Sequence, residues 1–287
     1  PKVWREKDEW LMLTGTETYS GAAIAVHRSV DLKYWEYKGI FYHEEDARYL
    51  RAECPSIMRL GEKYVLIIGY HNADETQVRR DTVYYIGTIK NYHFQAEQKG
   101  LLDYGKDFYA AQMFANMDQP VMIAWGNDRY EYHIESLCRS NGTMSLPRKL
   151  WIEKEKLYSY PIEAMKCVEK KEGQFKNIFR IPDGRGHLHI IFSQEPSGYI
   201  RIASSEAGEI AVSIFSNQLR ITTDKEVWST DIHIEELDVY SDCALFEIFL
   251  NHGEQAFTRR YDRYNTDYEV KADLSVGCSA SFYKIEM

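Results

Sequence analysis

Basic charge is scarce in this sequence: 35 Lys and Arg stand against 44 Asp and Glu, a formal net charge of -9. Nucleic acids and anionic membrane surfaces both reward clustered Lys and Arg, so neither is an expected partner. Long apolar runs are missing as well, and nothing approaches the roughly 20 apolar residues of a spanning helix. Cysteine is sparse and scattered. Cys54, Cys138, Cys167, Cys243 and Cys278 are odd in number, with no C-x-x-C pair and no Cys/His spacing of a metal site. They read as reduced, mostly buried thiols of a cytoplasmic protein, and no metal or cofactor is expected. The first residue is Pro1, so a secretory leader cannot be judged and export stays open. The triplet Asn141-Gly142-Thr143 fits a glycosylation acceptor, a pattern that chance often supplies.

A helical period is also rare, and period-two alternation takes its place. Short strands are predicted over 9–15, 22–29, 64–70, 82–88, 119–125, 132–137 and 149–153, with turn residues between them. A charged segment at 153–156 then leads to Pro161 and a run of helix formers, which predicts a short linker helix over 161–172. From 173 to 287 strands return with tight turns, the pattern of an antiparallel sandwich. The turns at 183–186 and 205–209 precede no helix, so they are not phosphate loops. Hydrophobic residues make up 44% of the chain, enough for a sizeable core. Its 22 Tyr and 6 Trp suit sheet packing or carbohydrate stacking. Alternation alone does not separate a propeller from a sandwich in residues 1–160.

One carboxylate stands out. Glu53 is predicted at a strand start, followed by Cys54 and Pro55 and then by the hairpin sequence Leu60-Gly61-Glu62-Lys63-Tyr64. Desolvation among Cys54, Pro55 and Ile57 would raise its pKa toward the range of a general acid. The plain alternative is a solvated glutamate or an ion pair with Arg51.

Ala52-Glu53-Cys54-Pro55 resembles the Glu-Cys-Pro motif of the family 32 glycoside hydrolases, the group of invertases, sucrose-6-phosphate hydrolases and fructan hydrolases. Three further stretches agree in order: Ser29 to Gly39, Asp103-Tyr104-Gly105-Lys106-Asp107-Phe108-Tyr109-Ala110, and Leu146-Pro147-Arg148-Lys149-Leu150. Leu237-Asp238-Val239 and Phe246-Glu247-Ile248 are similar to strands of that family's C-terminal sandwich. The resemblance implies an all-β fold: part of a five-bladed β-propeller over 1–160, the linker helix, and a β-sandwich over 173–287. It implies Glu53 as the acid/base residue, and Trp125, Tyr109 and Cys54 as substrate-binding positions. Asp107 reads as structural.

The resemblance also carries a departure. The family's nucleophilic Asp lies in a Trp-Met-Asn-Asp-Pro-like segment and its transition-state Asp in an Arg-Asp-Pro, and neither is present. Pro1-Lys2-Val3-Trp4 is similar to the residues that follow that Arg-Asp, so the chain reads as the C-terminal portion of a longer enzyme, inactive alone. The activity implied is retaining hydrolysis of a β-fructofuranoside: sucrose, sucrose 6-phosphate or a fructo-oligosaccharide. A small sugar is the expected partner, with a homodimer through the sandwich as a further expectation. An inactive sugar-binding relative, or a sandwich serving as an interaction module, stays open.

Overall fold

Residues 64–68, Tyr-Val-Leu-Ile-Ile, form a continuous apolar run rather than an alternating one, which asks for a strand buried on both faces. The computed structural model shows that strand and its surroundings. It describes residues 1–72, 80–126, 142–174, 177–204, 208–215, 218–224, 226–261, 266–274 and 278–286. The strand predicted at 132–137, Cys138 and Asn141 lie outside them. The chain divides into two compact units, Pro1–Trp125 with Met144–Ser159, and Gly126–Thr143 with Tyr160–Met287.

Three antiparallel sheets build the first unit, and they are the blades of the β-propeller among the described residues. Strands β1 (Lys2–Glu6), β2 (Glu9–Thr18), β3 (Gly21–Ser29) and β4 (Glu36–His43) make the first. The second consists of β5 (Tyr49–Leu60), β6 (Lys63–Asn72), β7 (Arg80–Lys90) and β8 (His93–Leu101). In the third, β9 (Phe108–Met113) and β11 (Thr143–Met144) flank β10 (Val121–Gly126), and β12 (Arg148–Glu153) and β13 (Lys156–Pro161) follow. The apolar run of β6 is now explained. Leu66, Ile68 and Tyr70 pack with Leu11, Leu13, Ile24 and Phe41 of the first blade. Val65 and Ile67 point the other way, into Phe108, Ala111, Met122 and Leu150 of the third. Successive side chains of a strand leave on opposite faces, so β6, covered on both, is hydrophobic without alternation from Tyr64 to Ile68.

Two six-stranded antiparallel sheets form the second unit. One runs β14 (Glu169–Gln174), β25 (Cys278–Ile285), β16 (Arg185–Phe192), β21 (Glu236–Asp242), β22 (Leu245–Leu250), β23 (Gln255–Arg260). The other runs β15 (Ile178–Ile181), β24 (Tyr268–Leu274), β17 (Gly198–Ser204), β18 (Gly208–Phe215), β19 (Gln218–Thr223), β20 (Val227–Thr230). They pack face to face as a sandwich. Aromatic contacts cross between them: Phe246 meets Tyr268 at 4.9 Å edge-on, Phe179 lies 4.6 Å from Phe282, and Trp228 stacks on Phe257 at 5.8 Å. Where the sequence predicts a helix over 161–172, only a 3-10 helix forms, Glu163–Cys167. Its N-cap, Ile162, makes no side-chain cap and none of its residues is buried, so little holds it in an α-helical form and the chain resumes as β14.

Candidate active site

Glu53 sits inside β5 rather than at its start, five positions into a twelve-residue strand that is interrupted just after it. Its cross-strand partner is Gly69 of β6, and the register slips between Glu53 and Ser56. The slip has a local cause. Pro55 cannot donate a ladder hydrogen bond, and Cys54 adopts a left-handed backbone with φ of 48°. Side chains seldom accept that conformation, and its use beside a carboxylate marks a strand bent to aim one residue.

The rest of the site comes from neighbouring strands of the same unit. Tyr109 of β9 donates its hydroxyl to Glu53 Oε2 at 2.8 Å. His71 of β6 places Nε2 3.0 Å from the same oxygen. Arg80, opening β7, holds its guanidinium 5.0 Å from the centre of the Tyr109 ring. Since Oε2 takes both contacts, Oε1 has no hydrogen-bond partner among the described residues.

Strand β9 is docked by backbone contacts. Gln112 donates Nε2 to the Cys54 carbonyl at 3.0 Å, the Met113 amide donates to Ser56 Oγ at 3.2 Å, and Thr82 donates to the Phe108 carbonyl at 2.9 Å. Ala110, next to Tyr109, is also left-handed, with φ of 54°. Two glycines make room. A Cβ on Gly15 would lie 2.0 Å from the Ala52 carbonyl oxygen, and one on Gly69 would lie 2.8 Å from the Tyr109 ring.

The electrostatics differ from the sequence expectation. Burial does push the Glu53 carboxyl up, but the hydrogen bonds from Tyr109 and His71, with the charge of Arg80, outweigh it and leave the pKa below the usual glutamate value. Tyr109 is driven in the opposite direction, above the ordinary phenol range, first by burial and then by the Glu53 charge. It therefore stays a donor. The simple ion-pair alternative fails too, because Arg51 pairs with Glu17 instead, at 3.2 Å.

Of the residues singled out in the sequence, Glu53 and Tyr109 meet. Cys54 contributes its backbone carbonyl, and its side chain is exposed rather than buried as expected of the cysteines. Trp125 is half-buried near the end of β10 and is not one of the groups that hydrogen-bond Glu53. Asp107 is buried. His71 is not among the site residues expected from the sequence; it lies within β6, two residues from Gly69 and so on the same face as that partner of Glu53, and its period-two spacing from Gly69 was the available signal. Arg80 carried no such signal, because it reaches the site from the next strand.

A bent strand that presents a clamped carboxylate on a β-propeller blade, in a chain that continues into a β-sandwich, is the arrangement of the propeller-plus-sandwich glycosidases. Known proteins agree. Residues 1–161 match the glycosyl hydrolases family 32 N-terminal domain, so the chain belongs to glycoside hydrolase family 32. Curated relatives include the sucrose-6-phosphate hydrolase of Lactococcus lactis, 25% identical over 90% of this chain and 59% of that protein. The sucrose-6-phosphate hydrolase of Zymomonas mobilis is 32% identical over 78% of this chain and 50% of its own length. The chain thus spans between half and three-fifths of these relatives. Among solved structures, a β-fructofuranosidase of Bombyx mori superposes with a TM-score of 0.86 at 23% identity, covering 100% of this chain and 65% of that one. A sucrose-6-phosphate hydrolase of Lactobacillus gasseri gives 0.85 at 21% identity, covering 99% and 65%. Both share the fold. No helix among the described residues is long and apolar enough to cross a membrane.

Proposed function

We propose that the protein acts as a retaining hydrolase of β-fructofuranosides, with sucrose or sucrose 6-phosphate as substrate and Glu53 as acid/base residue. The observation that carries this reading is the division of labour on the Glu53 carboxyl. Oε2 accepts from Tyr109 and faces His71, so a proton added to the group goes to Oε1, the oxygen with no partner among the described residues. That oxygen would protonate the leaving sugar and later take a proton from water. A second carboxylate, about 5 Å away, has to attack the anomeric carbon. The family's motifs for that nucleophile are not present in the 287 residues, so we assign it to polypeptide outside them. On this reading the 287 residues alone are inactive.

The low pKa of Glu53 fits the scheme once that second carboxylate is counted. A neighbouring negative charge and the exclusion of water by bound sugar both raise a carboxyl. Propeller residues 1–160 would carry the chemistry and residues 173–287 the sandwich. Tyr109 and Trp125 would contact sugar, the first through the oxygen network and the second by stacking. The names of the curated relatives favour sucrose 6-phosphate, and a variant of the Bombyx mori enzyme has been solved with sucrose bound.

The test is fructose release from sucrose, sucrose 6-phosphate and short fructans by the full-length protein, with the anomer of the first product read by NMR. Retention at the anomeric carbon supports the reading. No release from any of these sugars contradicts it and favours a sugar-binding relative.

A further inference from the structure

We propose that the second unit binds one divalent transition-metal ion, with zinc the best match, through His187, His189 and Asp238. Phe282 pairs in register with Leu188 and reaches Phe179 of the opposite sheet, so Leu188 and Ile190 belong to the inner face of the sandwich. His187 and His189 therefore project from the outer face. Asp238 is the direct cross-strand partner of His189. His187 Nε2 and His189 Nδ1 lie 2.8 and 2.7 Å from the same oxygen, Asp238 Oδ1. One atom from each of the three residues falls within 4.8 Å of the others.

A second, independent feature points to a ligand. Asp238 is fully buried, and its other oxygen, Oδ2, makes no well-formed hydrogen bond among the described residues, although the Tyr160 hydroxyl and the Glu236 carboxyl both approach Asp238. Desolvated carboxylate oxygens are seldom left so, and an ion bound beside Oδ1 would satisfy both. The surroundings fit as well. His187 Nδ1 lies 2.9 Å from Glu169 Oε1, the carboxylate contact that fixes the tautomer and orientation of a metal-binding imidazole. Its ring is stacked on Tyr240 at 3.8 Å. Glu236 Oε1, 3.6 Å from His189 Nδ1, is placed to complete a fourth position. His189 and Glu236 are each 25% exposed, which leaves an entry path. Two imidazoles with carboxylate oxygen suit zinc better than the all-oxygen shells of magnesium or calcium.

Without an ion, each nitrogen facing Oδ1 needs a proton to make its contact. Zinc would take their place: His187 releases its Nε2 proton to solvent and keeps the Nδ1 proton facing Glu169, while the Nδ1 proton of His189 goes to solvent from a charged ring or to Nε2 of a neutral one. Neighbouring donors would spread to about 3.3 Å, as bonds of about 2.0–2.1 Å in a tetrahedral shell require.

The experiment uses untagged, chelator-stripped protein and limiting zinc chloride. The expected result is one zinc retained per chain through gel filtration, and a thermal midpoint raised by roughly 5–10 °C at a hundredfold excess over Kd. His189→Gln should abolish retention, and Glu169→Gln should weaken binding roughly 10- to 100-fold. Cobalt(II) in place of zinc should give the intense visible bands of a tetrahedral site in the unsubstituted protein, a readout that needs no variant to fold. Absence of retained zinc and of those bands overturns the proposal and leaves a proton-bridged cluster. Retention unchanged in His189→Gln overturns it too, by placing the ion elsewhere.

Discussion

The ring of Tyr109 occupies the space that a side chain at position 69 would fill: a Cβ built on Gly69 lies 2.8 Å from the ring and 3.0 Å from the hydroxyl. Gly69 is also the cross-strand partner of Glu53, so one small residue lets the phenol reach the carboxylate. Gly69→Ala should push the ring away. We expect a loss of about 1–3 kcal/mol in urea unfolding, the usual cost of overpacking, together with a fall in kcat. An alanine variant with unchanged stability and rate would show that Tyr109 is not held where it appears.

Tyr109→Phe keeps the packing and removes the donor. The Tyr109 bond lowers the Glu53 pKa, so its loss raises it. A group that must be protonated to act as an acid sets the basic limb of the profile of kcat/KM against pH. That limb should move to higher pH in the phenylalanine variant of the full-length protein. A shift to lower pH, or none, would argue that Glu53 does not set the limb.

Arg148 and Asp103 form a fully buried pair at 2.9 Å, with the guanidinium 4.3 Å from the centre of the Phe108 ring. Two motifs far apart in sequence are thus one structural joint next to Tyr109. Removing either charge leaves the other buried without its opposite charge in this pair, and a loss of about 3–5 kcal/mol is expected for Arg148→Met or Asp103→Asn. The double variant should cost less than the two single losses added together. Denaturant midpoints check this, and strict additivity would dissolve the pair.

Much of this was legible because the pattern and the physics coincided. The apolar run at 64–68 demanded a strand covered on both sides, and β6 supplies the central blade with two cores. The bend after Glu53 was legible in Pro55, which a ladder does not tolerate. The pKa was not. Local neighbours suggested desolvation, whereas Tyr109 and His71 arrive through strand register, a property fixed by pairing partners and not by the residues around Glu53. The same holds for His187 and His189. An alternating pair of histidines puts both on one face of a strand, but only the pairing of β16 with β21 brings Asp238 between them. The helix expected over 161–172 failed because propensity without a cap or a buried face does not sustain one.

The most direct test of the central claim compares full-length protein with its Glu53→Gln variant in fructose release from whichever sugar the wild type cleaves best. The account predicts a loss of about a hundredfold or more, the range for removing a general acid, with the variant's thermal midpoint close to that of the wild type. A Glu53→Gln protein that retains most of the wild-type rate would contradict it.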